Sequence, residues 1–134
     1  MISFLSLGSN LGDKEANLRK AINLINEKAG KVTKTSSFIN TEPWGFSSDN
    51  LFVNACIEID TTLTPHELLA ATKQIETEMG RKQKSINGTY NDRIIDIDIL
   101  LYGDITVDEE NLKIPHPHMY ERDFVMIPLK EIMK

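Results

Sequence analysis

The chain of 134 residues has a single cysteine, Cys56, so no internal disulfide can staple it. Cys56 lies in an apolar, strand-like run, where it reads as a small core filler rather than a nucleophile. No apolar run is long enough to span a bilayer. There is no excess of basic residues: the net charge is −5, which argues against a general nucleic-acid or anionic-membrane surface. A phosphate substrate whose charge is carried by metal ions stays allowed. No G-x-x-x-x-G-K-[ST] occurs, so this is not a P-loop protein. Internal repeats, low-complexity tracts and linkers are also lacking. Met1 runs straight into "ISFLSLGSN" without a basic n-region or a small-residue cleavage site, so a soluble cytoplasmic protein is the expectation, and a monomer is expected with small-molecule substrates as its partners.

What is present suffices for one domain, residues 1–134, since 40% of the residues are hydrophobic. "MISFLSLG" alternates and predicts a first strand. In "SNLGDKEANLRKAINLINEKAG", Leu18, Ala21, Ile22, Ile25 and Ala29 fall at helical spacing, with Asp13 as N-cap and Gly30 as stop. "KVTKTSSFIN" is polar but β-branched and reads as an exposed or edge strand. "TEPWGFSSDN" reads as a loop. In "LFVNACIEID", Leu51, Val53, Ala55, Ile57 and Ile59 should face one way, and Phe52, Asn54, Cys56 and Glu58 the other. Thr64, Pro65 and Glu67 make a capping box with proline at the first helical position. Leu68, Leu69, Thr72, Ile75, Glu76 and Met79 carry that helix to Gly80. "RKQKSINGTYND" reads as a loop, Gly103 and Asp104 should turn into a short hairpin at "ITV", and "VMIPLKEIMK" closes the chain. The order strand, helix, strand, strand, helix, strand predicts an α+β, ferredoxin-like β-α-β-β-α-β fold. Both helices would lie on one face of an antiparallel sheet, leaving the other face for a ligand.

The unusual strand is "DRIIDIDILLYG". Ile95, Ile97, Ile99 and Leu101 should share one face, and Asp96 and Asp98 the other. Two acids at i, i+2 repel each other unless a cation sits between them, and magnesium binds through carboxylates plus substrate phosphates. Spacing alone also allows two acids on a solvated face, paired with Arg93 or Arg122. Arg81, Lys82, Lys84 and Arg93 flank the pair in sequence, and cations gathered around a metal-binding pair suit a polyphosphate.

The blocks "GSNLGD", "TEPWG", "FVNA", "IETEMGR", "DRIIDIDILLYG", "IPHP" and "ERDFVMIPL" occur in this order. Together they resemble the 6-hydroxymethyl-7,8-dihydropterin pyrophosphokinase family of folate biosynthesis, over nearly the whole chain. The resemblance implies a ferredoxin-like fold. It also implies transfer of pyrophosphate from ATP to the pterin's hydroxymethyl group with release of AMP, and two Mg2+ ions held by Asp96 and Asp98. It places Phe52 and Phe124 on either side of the pterin. Asn54, with Thr41, Pro43, Trp44 and Gly45, falls at its ring edge. Glu76, Arg81, Arg93, Arg122 and His116 fall at the nucleotide, and Ile99 and Leu112 where adenine is lined. Arg81 and Arg93 join the two aspartates as catalytic positions. Without the resemblance, Phe52 and Phe124 read as packing residues and Glu76 as a solvated helical acid. His66 and His118 match no family position and read as surface residues.

The chain departs from the family pattern before Arg93. Thr89-Tyr90-Asn91-Asp92 stands where a basic residue, an aromatic and Gly-Pro are usual, so Lys82 or Lys84 would have to supply the missing charge. Pro117 and Trp44 also differ from the usual residues. A non-catalytic ferredoxin-like ligand-binding module would not need an acid pair with converging cations. An RNA-binding module would need a basic surface with exposed aromatics.

Overall fold

A computed structural model describes residues 1–42, 51–80 and 94–133. The elements are β1 (Ile2–Ser9), α1 (Lys14–Lys28), β2 (Lys31–Thr35), β3 (Ile39–Thr41) and β4 (Phe52–Asp60). After these come α2 (Pro65–Glu78), β5 (Asp96–Tyr102), β6 (Val107–Glu109), β7 (Leu112–Ile114) and α3 (Asp123–Ile132). The main sheet runs β2-β4-β1-β5, with β3 also on β4, and every pairing is antiparallel. This is the expected α+β, ferredoxin-like order.

Local chemistry sets the helix starts. The Asp13 carboxylate accepts from the Ala16 N–H at 3.2 Å. Thr64 Oγ1 accepts from the Glu67 N–H at 3.2 Å, and Glu67 Oε1 accepts from the Thr64 N–H at 2.9 Å. A cap contributes about 1 kcal/mol, whereas each buried Leu or Ile contributes about 1.5–3 kcal/mol. Caps therefore fix boundaries, and burial fixes the fold. Leu18, Ala21 and Ile25 of α1 and Leu68 and Ile75 of α2 pack on Leu5, Leu7, Ala55, Ile57, Ile59, Ile97 and Ile99 of the sheet and on Ile95 just before β5. Val53 joins this cluster, as its alternation predicts, while Cys56 lies on the other side.

Several expectations are corrected. Leu101 does not share the face of Ile95, Ile97 and Ile99. The register against β1 shifts between Phe4 and Leu5, where Leu5 pairs with Ile99 and Phe4 with Leu101, leaving Leu100 as an extra residue. This bulge reverses the alternation: Leu100 and Leu101 join Cys56 in a second cluster, and Tyr102 returns to the first. The second face is not wholly open either. α3 covers it with Val125, Leu129 and Ile132, aided by Met119.

The segment expected as one edge strand is split. β2 ends at Thr35, and Ser36 then makes two bonds to Cys56, its N–H donating to the Cys56 carbonyl and its Oγ accepting from the Cys56 N–H, each 2.9 Å. The turn at Gly103 (φ 54°) leads into β6, which pairs with β7 rather than with β5. Between β7 and α3 the chain makes a 3-10 turn, Met119–Glu121, and Arg122 joins it to α3. Gly30 is not a left-handed stop. A Cβ there would lie 2.7 Å from the Asp60 carbonyl, so close approach of β4, not dihedral freedom, demands glycine. Among the described residues, no helix is long and apolar enough to cross a membrane.

Candidate functional site

Two rows of cross-strand neighbours organise the face opposite α1 and α2. One is Cys56–Ser6–Asp98, and the next is Asn54–Gly8–Asp96. Partners directly opposite in a ladder point to the same side. Asp96 and Asp98 therefore stand on this face two residues apart, as their alternation predicts. α3 roofs the Cys56 end, where the Cys56 thiol donates to the Val125 carbonyl at 3.5 Å. The polar end lies beyond the start of α3, where Phe124 sits partly buried at the margin of the second cluster. The Arg122 guanidinium lies over the Phe124 ring, 5.5 Å from its centroid.

Asn54 is buried, and its amide donates to Thr41 Oγ1 at the end of β3. Phe52, half-buried, opens β4 two residues earlier on the same side. Thr41, Phe52, Asn54, Asp96, Asp98, Phe124 and Arg122 are thus gathered around one end of one face.

Burial, and then the charge of Asp96, pushes the Asp98 carboxyl up to about 7. Glu76 adds to this, while Arg122 and Lys73 oppose it. A crowded pair of this kind fits hard divalent cations. Among the described residues no group of three His, Cys, Asp or Glu side chains could hold a metal. Two carboxylates leave most of a magnesium shell to phosphate oxygens and water, which is how magnesium usually binds beside a nucleotide.

Glu76 is buried, not solvated. Its Oε2 accepts the Ile97 N–H at 2.8 Å, and its Oε1 lies 3.8 Å from Lys73 Nζ. Glu76 therefore ties α2 to the outer edge of β5 between the two aspartates. Lys73 was missed in the sequence, although its i, i+3 spacing to Glu76 was available.

His116 is placed by the bulge: its N–H donates to the Leu100 carbonyl at 3.0 Å. Burial, with Arg122 and His118 nearby, lowers its pKa to about 4. The ring is therefore neutral near pH 7. Nδ1 accepts from the His118 N–H at 3.3 Å, which leaves the proton on Nε2 as a donor.

Ile99 and Leu112 do not join this face. Both side chains are core residues beneath the helices. His66 is exposed and meets Glu109 at 3.0 Å, and His118 lies 3.5 Å from Glu121, in keeping with surface roles. Pro43, Trp44, Gly45, Arg81 and Arg93 lie outside the described residues, as do Lys82, Lys84 and Tyr90.

An antiparallel ferredoxin-like sheet that sets an amide and two aromatic rings beside paired carboxylates, an arginine and a neutral histidine suits an enzyme joining a flat heterocycle to a polyphosphate. Residues 4–134 match the family described as 7,8-dihydro-6-hydroxymethylpterin-pyrophosphokinase (HPPK). Over 132 residues the chain is 46% identical to the 2-amino-4-hydroxy-6-hydroxymethyldihydropteridine pyrophosphokinase of Porphyromonas gingivalis, covering 98% of this chain and 90% of that one. It is 45% identical to the protein of the same name from Bacillus subtilis, covering 98% and 77%. The crystal structure of wild-type Plasmodium falciparum HPPK-DHPS superposes with a TM-score of 0.75 at 18% identity, over 97% of this chain and 40% of that one. The chain thus spans about two fifths of that longer protein, and the likeness there is one of fold. The chain belongs to the HPPK family.

Proposed function

We propose that the polar end of this face is where residues 1–134, as one pyrophosphokinase domain, perform the family's reaction. The chain transfers pyrophosphate from ATP to the hydroxymethyl group of 6-hydroxymethyl-7,8-dihydropterin, giving the pterin diphosphate and AMP, a step of folate biosynthesis. The observation that carries the site assignment is the row Asn54–Gly8–Asp96, which sets a heterocycle-reading amide and a carboxylate on one line across the sheet.

In this reading Phe52 and Phe124 stack on the pterin, and Asn54 and Thr41 address its edge, with Pro43, Trp44 and Gly45 completing the loop side. Asp96 and Asp98 would hold two Mg2+ ions, which when bound neutralise triphosphate charge. Arg122, with Arg81 and Arg93, supplies the remaining cations. His116 offers its Nε2–H to a phosphate oxygen.

Adenine is read by backbone. The Ile97 N–H points to the outer edge of β5, where Glu76 takes it. In an antiparallel ladder the next outward-pointing residue is Ile99. Ile99 therefore presents an N–H and a carbonyl at that edge while its side chain stays in the core. Leu112 supports it from beneath.

The chemistry needs mainly positioning. A bond forms between the hydroxymethyl oxygen and the β-phosphorus. The bond from that phosphorus to the oxygen bridging the α-phosphate breaks, AMP keeps the electron pair, and the hydroxyl proton leaves to solvent. A cytoplasmic monomer belongs to the same reading, as does the lack of nucleic-acid or membrane partners, which the net charge of −5 supports.

The test is AMP release from ATP with and without the reduced pterin, and with and without magnesium. AMP should appear only when both are present. AMP formed without the pterin, or ADP in its place, would refute the assignment.

A further inference from the structure

Gly8 occupies the middle of the row Asn54–Gly8–Asp96. Its φ is not in the positive range that reserves a position for glycine, unlike Gly12, Gly80 and Gly103. Backbone conformation therefore does not explain it, but space does. A Cβ at Gly8 would lie 2.6 Å from Asn54 Oδ1 and 3.4 Å from Phe52 Cδ1. The first distance is too short for any real contact. The amide oxygen of Asn54 already fills the volume that a side chain at Gly8 would take.

The other end of the same amide donates to Thr41 Oγ1. The Asn54 side chain is thus held between a hydroxyl on β3 and the bare backbone of β1, lying low across the sheet. Asn54 is buried, so it has little room to turn aside. Two independent features fix its orientation, one by a bond and one by the lack of a side chain.

We propose that Gly8 is a positioning residue for the pterin. By carrying no side chain, it lets the Asn54 amide lie flat, in register with Thr41, and so sets the edge at which the heterocycle is read. This rests on the assignment of Asn54 to the pterin made above. Gly8 touches neither phosphate nor the reacting oxygen, so its effect should fall on pterin binding and leave ATP binding alone.

The test compares Gly8→Ala, Asn54→Ala and the double variant with the parent. Affinities for 6-hydroxymethylpterin and ATP are measured by calorimetry, and folding by thermal melting. Gly8→Ala should weaken pterin binding at least tenfold and change ATP binding less than twofold. On the Asn54→Ala background, which removes the colliding oxygen, the same change should cost less than twofold more. Should Gly8→Ala alone fail to fold, the double variant should recover a cooperative melt. Pterin binding that is lost on Asn54→Ala but unaffected by Gly8→Ala would overturn the role of Gly8 and leave the pterin site standing. So would full additivity of the two losses, or a double variant that stays unfolded. Unchanged pterin binding in Asn54→Ala would instead remove the reading of Asn54, and the role of Gly8 with it.

Discussion

Replacing Asp98 with asparagine keeps the shape of the side chain and removes one of two crowded charges. In an open chain this carboxyl titrates near 3.8, and in the fold near 7. The folded protein therefore holds the proton more strongly than the unfolded chain, and between those values the unfolded chain binds fewer protons. Stability contributed through this group must fall as pH rises across that window. Each pH step costs about 1.4 kcal/mol, giving a ceiling of about 4 kcal/mol above the upper value. Asp96 shares the repulsion, so a cost of about 2–4 kcal/mol is expected. For a chain of this size, 1 kcal/mol moves the melting temperature by about 3–5 °C. In chelator, Asp98→Asn should melt at the parent's temperature near about pH 4. The gain should then grow steadily to roughly 6–20 °C at about pH 8. Taking the difference between variant and parent at each pH removes the contribution of the other acids. Turnover with ATP, pterin and magnesium should be abolished in the same variant. A pH-independent difference, or a variant less stable than the parent at alkaline pH, would refute the claim that burial and Asp96 strain this carboxyl.

Phe124→Ala should weaken pterin binding about tenfold, since a stacked aromatic pair contributes about 0.5–1.5 kcal/mol beyond area burial; equal loss for ATP in calorimetry would assign Phe124 to packing. Thr64→Ala should lower unfolding free energy by about 1 kcal/mol in denaturant titration, through loss of the capping box, with ligand affinities unchanged. Cys56, whose thiol burial pushes up to about 12, should resist a disulfide reagent in the native protein and react at once in denaturant. Rapid native labelling would show that α3 does not seal the second cluster.

Features written in neighbouring residues were legible in the sequence. The Thr64–Glu67 box, the alternation of β4 from Phe52 on and the shared face of Asp96 and Asp98 all follow from spacings of two to four residues and hold in the fold, whereas Leu51, expected on the core face, precedes β4 and is exposed. Features that depend on a partner strand were not. Nothing in "DIDILLY" marks Leu100 as an extra residue, because the bulge exists only against β1. The hydrogen bond from His116 to its carbonyl was hidden with it. Glu76 looked solvent-facing because its partner is a backbone N–H twenty-one residues away, at an edge that only the sheet order defines. α3 carries Pro128 inside it, which interrupts the helical pattern of "VMIPLKEIMK". The proline sits in the second turn, where its missing N–H leaves the Phe124 carbonyl without a helical donor. Gly8 closes the first strand in the sequence, where no neighbouring residue accounts for a glycine. Its true constraint is the side chain of a residue forty-six positions on.

The division of the core into two clusters has a consequence for synthesis. The cluster beneath α1 and α2 is drawn from residues no later than Ile114, while the cluster on the other face needs Met119, Val125, Leu129 and Ile132. A nascent chain emerging from the ribosome can therefore close its first core before Phe124 and Arg122 exist. During that interval Cys56 and Leu100 face water, and the carboxylate pair stands beside a half-built wall. The first core can close early, but the wall that Phe124 and Arg122 supply is one of the last segments to be made. A stop codon between Ile114 and Asp123 would remove Phe124 and leave the second face of the sheet without its cover.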